Sequence, residues 1–285
     1  MICETIIKTI LLHFILHAVL TECHLKDLGE ITKNWSNVLN NLEKRIIGGT
    51  NTTKYEHPFA VQFFNHGGLC GGSILTRKTM LTAAHCFDHN KNIAEMKIFS
   101  NPRFLFDLQS IIHEVWQFEI HQNYSKEMFF SNDIAIIIIH DYFEFGPQVQ
   151  KVTIIDTDVW MNINNTFVAI GWGENKYGTG FKNNNFKKVD LYYVTRERCK
   201  TENRIDLSPE MFCLSGDGET DTCRGDSGGG VLWNGALVGI ISHGRGCAQA
   251  PGIYVNVYYY RTWINETVKK IYKEFCDFHN HKALK

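Results

Sequence analysis

Asp221-Thr222-Cys223-Arg224-Gly225-Asp226-Ser227-Gly228-Gly229-Gly230 is the stretch on which the reading of this chain turns. A serine set among glycines and preceded by an aspartate suits a nucleophile held on a tight turn. The glycines let the main chain come close to a substrate carbonyl, so the amides of Gly225 and Ser227 can point at a developing oxyanion. Taken alone, these residues would equally suit a glycine-rich loop with a surface serine. Two upstream stretches decide between the alternatives. Thr82-Ala83-Ala84-His85-Cys86 sets a general-base candidate beside a half-cystine, and Asn132-Asp133-Ile134-Ala135 leads a carboxylate into an apolar run.

With these three stretches in the order His, Asp, Ser, the chain resembles the trypsin/chymotrypsin family of serine proteases. Subtilisin-type and α/β-hydrolase enzymes arrange the same roles in other orders. The resemblance covers about residues 45–273. It implies an all-β fold of two packed six-stranded antiparallel β-barrels with a C-terminal α-helix and the active site between the barrels. It also implies that Ser227 is the nucleophile, His85 its base and Asp133 the group that orients the imidazole.

Composition bounds the rest. At 285 residues the chain has room for about two core-forming units, and 44% hydrophobic with 21% charged residues is ordinary for a globular protein. A net charge of −1 gives no reason to invoke nucleic acid or an anionic membrane. Lys8 precedes the apolar run 9–20, which reads as a secretory signal over residues 1–21 despite Glu4, His13 and His17. That run is short for a membrane span, which leaves a signal-anchor as the lesser reading. Nine cysteines behind an export signal argue for disulfides, and their spacing lacks the paired clusters of a zinc site. No metal or cofactor is expected. Sequons at Asn34, Asn51, Asn123, Asn164 and Asn265 fit a secreted glycoprotein as a set.

Residues 22–45 are polar, carry Lys26, Lys33, Lys44 and Arg45, and read as a short propeptide. From residue 59 the text is all-β: apolar or alternating runs at 59–64, 72–75, 80–82, 111–118 and 133–139, then 167–173, 188–194, 230–233, 236–242 and 252–257. They divide into barrels over about 59–145 and 155–260. A helical period is expected only near the end, where Trp263, Ile264, Val268, Ile271, Tyr272 and Phe275 form an apolar stripe over about 262–275. The protease domain is thus expected over 46–276, with 277–285 as a disordered tail.

The resemblance carries further expectations. Arg45-Ile46-Ile47-Gly48-Gly49 is similar to the family's activation site, so cleavage after Arg45 would free the Ile46 ammonium to pair with Asp226. Cys70–Cys86, Cys199–Cys213 and Cys223–Cys247 are the implied disulfides. Cys3 would leave with the signal, and Cys23 and Cys276 remain, either joined to each other, bonded between molecules, or free. Asp221, six residues before Ser227, would be the pocket floor that selects Arg or Lys, with Gly244 and Gly252 in the walls. Thr222, Arg224, Ser242 and His243 complete the implied substrate-binding set.

The chain also departs from the family pattern. His243 stands where Trp is usual, Gly230 where Pro is usual, and the loop 248–251 is short. Arg224 and Arg245 are expected to face the cleft entrance and favour acidic residues near the scissile bond. The segment 101–110 holds only Asp107 as a hard oxygen ligand for calcium.

A secreted monomeric endopeptidase, made as a zymogen and acting on proteins or peptides, is the reading that follows. An activating protease and serpin- or Kunitz-type inhibitors are the partners the family implies. A catalytically silent homologue acting as a binding protein would have lost Ser, His or Asp, and none is lost. A structural or carbohydrate-binding β protein would leave the activation site and Asp221 unexplained.

Overall fold

The computed structural model describes residues 49–173, 185–218 and 220–283. A two-residue strand, β1 (Thr50–Asn51), leads into six strands that close the first barrel: β2 (Ala60–Asn65), β3 (Gly68–Ile74), β4 (Thr79–Thr82), β5 (Met96–Ser100), β6 (Ile111–Ile120) and β7 (Ala135–Ile139). Their order around the ring is β2-β3-β4-β7-β6-β5, all antiparallel. The run from Ile134 to Ile139 has no exposed side chain. Such a strand reads as continuous apolar text instead of alternating, because both of its faces are covered. Each isoleucine so buried contributes roughly 1.5–3 kcal/mol.

The second barrel is built from β8 (Thr166–Gly171), β9 (Lys187–Val194), β10 (Met211–Ser215), β11 (Gly230–Trp233), β12 (Ala236–His243) and β13 (Gly252–Asn256). Its ring runs β9-β10-β13-β12-β11-β8 and closes through β8–β9, while β1 adds to β9 through Thr50↔Lys188. One core cluster joins the barrels: Ile136 and Ile138 of the first belong with Ile170, Leu237 and Val255 of the second. Full closure leaves few edges to template aggregation. The expected all-β architecture of two six-stranded barrels is the one observed.

Besides the two-residue β1, two barrel strands and a helix escape the sequence reading. β5 (Met-Lys-Ile-Phe-Ser) and β10 (Met-Phe-Cys-Leu-Ser) are five residues each and almost wholly buried, so neither alternates. Helix α1 (Arg196–Asn203) is polar nearly all round, burying only Cys199 and Asn203. It starts where the Thr195 side chain accepts the Arg198 amide and stops at Arg204, whose φ is 59°.

The terminal helix, α2 (Arg261–Ala283), is longer than expected, and the supposed tail from Asp277 is helical to Ala283. No Gly or Pro interrupts it, and the stripe does not end at Phe275. Phe275 and Phe278 meet Trp116 with ring centroids 5.2 and 6.0 Å away. Phe275 also lies 4.0 Å from Nζ of Lys78, a buried cation that donates to the carbonyls of His140 and Asp141 at 2.8 Å each. The helix therefore covers a charge that would otherwise be exposed at the base of the first barrel.

That barrel also contains a polar trio whose serine and histidine are buried and whose aspartate is half exposed. His113 Nδ1 lies 2.7 Å from Asp141 Oδ2, and its Nε2 lies 2.8 Å from Ser100 Oγ. Ser100 is only 1% exposed, so the trio cross-links β5, β6 and the loop after β7.

Candidate active site

His85 sits on a single 3-10 turn, Ala84–Phe87, directly after β4. The Cys70–Cys86 disulfide fastens that turn to β3, and Thr82 Oγ1 donates to the Gly71 carbonyl at 2.8 Å. Asp133 is fully buried at the entry to β7. Its Oδ1 accepts the His85 backbone N–H at 2.8 Å, and its Oδ2 lies 2.7 Å from His85 Nδ1. A carboxylate has only lone pairs to offer, so Nδ1 carries the proton and Nε2 is the free base. Ser242 Oγ donates to the same Oδ2 at 2.5 Å.

These contacts set the charges. Burial alone would raise the Asp133 carboxyl, but the His85 charge and the bonds from His85 and Ser242 outweigh it and hold it below its ordinary value. Burial would likewise lower His85, and the Asp133 carboxylate more than reverses it, raising the imidazole above 6.5.

The residue ahead of Asp133 is held from the other barrel. Asn132 adopts φ 55°, its amide donates to Glu210 Oε1 at 2.8 Å, and its Oδ1 accepts from Tyr260 Oη at 2.7 Å. Glu210 and Tyr260 carry no sequence signal of this task. They lie 78 and 128 residues from Asn132, so only the folded chain reveals them.

Ser227 lines a cleft of about 340 Å³ together with His85, Asp221, Thr222, Arg224, Ser242, His243, Gly244 and Gly252. The turn that carries it is fixed through its backbone. Gly225 has φ 81°, the Gly71 amide donates to the Ser227 carbonyl at 2.7 Å, and the Gly228 amide donates to Ile241 at 2.8 Å. Gly230 is a position of close approach, since a Cβ there would lie 2.6 Å from Ser73 Oγ and 2.8 Å from Leu237 Cδ1. Asp226, fully buried, accepts the Gly173 amide at 3.0 Å and the Cys223 amide at 3.2 Å. Arg45 and Ile46, like Asn34 and Cys23, lie outside the described residues.

Asp221 is 2% exposed and lines the cleft. Oδ1 accepts the Thr222 amide at 2.8 Å and Oδ2 the Ala248 amide at 2.9 Å. Burial outweighs these bonds and pushes the carboxyl up to about 7. Disulfides Cys223–Cys247 and Cys199–Cys213 brace the strands and loops around it. A buried acid with so little to neutralise it favours a cationic guest.

Arg224 lines the cleft, but Arg245 turns into an adjoining recess with Phe130, Ile205 and Asp206, where its Nη1 lies 3.5 Å from the Glu202 carbonyl. His243 borders both spaces. Its ring stacks on Phe130 at 4.4 Å and 15°, and its Nδ1 lies 2.9 Å from Ser242 Oγ. Phe130, unmarked in the sequence, also meets the His85 ring edge-on at 5.3 Å.

Other candidate sites resolve as follows. Cys70, His85 and Cys86 bring ligand atoms within 4.8 Å of one another, but the two sulfurs are bonded together and offer no thiolate. Asp107 gives its oxygens to Arg103 and the Gln109 amide. Asn51, Asn123, Asn164 and Asn265 are all exposed, and Cys276 is an exposed free thiol on α2. Among the described residues no helix is long and apolar enough to cross a membrane.

The chain is similar to known proteins over most of its length. The family model described as Trypsin matches residues 46–264. Trypsin delta of Drosophila erecta is 30% identical over 234 residues, 80% of this chain and 90% of that protein. Trypsin epsilon of the same fly is 31% identical over 240 residues, 82% and 91% of the two chains. A venom serine protease of Polistes dominula is 31% identical over 245 residues, 80% and 87%.

Proposed function

The chain belongs to the trypsin family of serine endopeptidases, and from that premise we propose that it cleaves proteins and peptides after Arg or Lys. The observation that carries this specificity is Asp221, buried in the cleft that His85 and Ser227 line. A guanidinium or ammonium entering there supplies the missing counter-charge and draws the carboxyl back to its ionised form. An apolar side chain would leave a desolvated acid unpaired, a difference on the order of 3–5 kcal/mol.

With the substrate so anchored, Ser227 Oγ attacks the scissile carbonyl and its proton passes to His85 Nε2. Asp133 holds the ring and stabilises the imidazolium. The Gly225 and Ser227 amides receive the oxyanion, since the neighbouring amides of Gly228 and Gly229 are spent on Ile241 and Asp226. The imidazolium then protonates the leaving amine, and water releases the acyl group from Ser227 by the same steps in reverse order.

The protein is made as a secreted zymogen. Cleavage after Arg45 frees the Ile46 ammonium, which pairs with Asp226 and locks the Gly225 turn. The Arg45–Ile46 bond itself fits the specificity, so activation can be self-propagating or begun by another protease. The four exposed sequons carry glycans, and serpin- or Kunitz-type inhibitors are the fitting antagonists.

Turnover of Arg, Lys and Phe chromogenic peptides by protein cleaved after Arg45, against a Ser227→Ala control, tests the reading. Arg and Lys turnover absent from the control supports it. Turnover of Phe alone overturns the role of Asp221, and no turnover by folded, cleaved protein overturns the protease assignment.

A further inference from the structure

Ser242 Oγ has one proton and two polar neighbours, Asp133 Oδ2 at 2.5 Å and His243 Nδ1 at 2.9 Å. Asp133 already accepts from His85 and can only accept again, so the Ser242 proton goes to it. The second contact must then draw its hydrogen from the imidazole. His243 is therefore the Nδ1–H tautomer, with its lone pair on Nε2. The result is one directed chain: His243 Nδ1–H to Ser242 Oγ–H to Asp133 Oδ2, the same oxygen that receives His85 Nδ1–H.

The backbone explains how two consecutive residues take part. On an ordinary strand Ser242 and His243 would point to opposite faces. Strand β12 instead carries a bulge here: Ile241 opposes Tyr254 and His243 opposes Ile253, with Ser242 as the extra residue. A bulge re-aims side chains, and this one turns both toward Asp133. The stack on Phe130 then fixes the His243 ring, and Phe130 in turn abuts the His85 ring.

We propose that His243 is a positioning residue of the catalytic group, which acts through Ser242 to lower the basicity of His85. This rests on the reading of His85 and Asp133 as the base and its partner. A hydroxyl that accepts a hydrogen bond donates a stronger one. The bond from His243 thus strengthens Ser242's grip on Asp133 Oδ2 and draws charge from the oxygen that holds the His85 proton. The imidazolium is held less tightly, and a larger share of His85 is free base near neutrality.

His243 does this as a neutral dipole. Burial depresses it to about 4, against the opposing pull of Asp133. The charged groups facing the pair are Asp133 and Asp88 around His85, and Asp133 and His85 around His243. Asp221 and Arg224 line the same cleft, and Asp206 and Arg245 the recess. None of them is altered by replacing His243.

The test compares His243→Phe, which keeps the ring on Phe130 and removes the donor, with His243→Asn, which keeps a donor near the Nδ1 position. In Ser227→Ala protein cleaved after Arg45, the downfield Nδ1 proton of His85 is titrated by NMR. In the active enzyme, the acid limb of kcat/KM is measured. Phe is expected to raise the His85 pKa by about half a unit, and Asn to restore it. In a Ser242→Ala background the Phe substitution is expected to shift nothing. An unmoved titration in His243→Phe, or an equal shift in His243→Asn, overturns the proposal. His243→Leu repeats the donor removal should Phe disturb the fold. Absent turnover in the unsubstituted enzyme would count against the protease reading alone, because the NMR comparison needs no turnover.

Discussion

Asp221 Oδ2 accepts the Ala248 amide at 2.9 Å, which ties a buried acid of the cleft to the short loop 248–251. With burial pushing the carboxyl to about 7, the proposed roles require two groups to lose a proton before an Arg peptide is bound and cleaved: Asp221 and His85. The acid limb of log kcat/KM should approach a slope of about 2 for an Arg substrate and about 1 for one with an uncharged side chain at that position. Equal slopes in parallel pH–rate profiles would count against the pocket role.

The same carboxyl should weaken the empty enzyme. The unfolded chain ionises Asp221 near 3.8 and the folded chain only near 7, so the group's stabilising contribution is complete below 3.8 and lost as pH rises through about 7. Asp221→Asn should therefore raise the melting temperature at pH 8 and hardly change it at pH 3.5. The rise from 3.8 to about 7 sets a ceiling of about 4 kcal/mol, and the weaker bonds of Asn should leave about 2. Arg and Lys turnover should fall away in the same variant. Thermal melts at the two pH values decide it.

Asp133→Asn should reduce kcat about 10⁴-fold, the magnitude of the family template and not one derived from these distances. The amide nitrogen cannot accept the His85 Nδ1 proton, so the ring adopts the wrong tautomer. The Michaelis constant should move little, because Asp133 touches no substrate. Steady-state kinetics on folded protein would show whether kcat alone changes.

Phe275→Ala should cost about 3–5 kcal/mol in urea unfolding, because it removes a buried ring and uncovers the Lys78 ammonium. The turnover number should stay within twofold, since Phe275 is remote from the cleft. A loss below 1 kcal/mol would mean that α2 is not docked through this ring.

Calcium chelation should leave both melting temperature and activity unchanged. Asp107 is the acid of the 101–110 segment, and Arg103, bonding it at 2.7 Å, holds its carboxyl down to about 2. A cation would have to displace that guanidinium. Stabilisation by millimolar calcium in a melt would contradict this.

Much of this was legible because it is local. The stretches around His85, Asp133 and Ser227 each carry their meaning within about five residues, as does the apolar text of β7. What stayed hidden acts at a distance or does not alternate. β5 and β10 are buried on both faces, so no period of two marks them. Glu210 and Tyr260 matter only because the fold brings them to Asn132, and Phe130 only because β12 presents His243 to it. His243 shows in the sequence only as a departure from the family's usual Trp; the bulge that turns it toward Ser242 cannot be read from residue types.

The Ser100–His113–Asp141 trio in the first barrel has a practical meaning for chemical labelling. Ser100, His113 and Asp141 repeat the three residue types of the cleft, with an imidazole–carboxylate distance of 2.7 Å in both places. A fluorophosphonate warhead, however, must reach an oxygen before it can be attacked by it, and Ser100 is sealed inside the barrel. Such a probe should therefore mark each activated molecule once, at Ser227, which makes it a means of counting competent molecules in a mixed preparation.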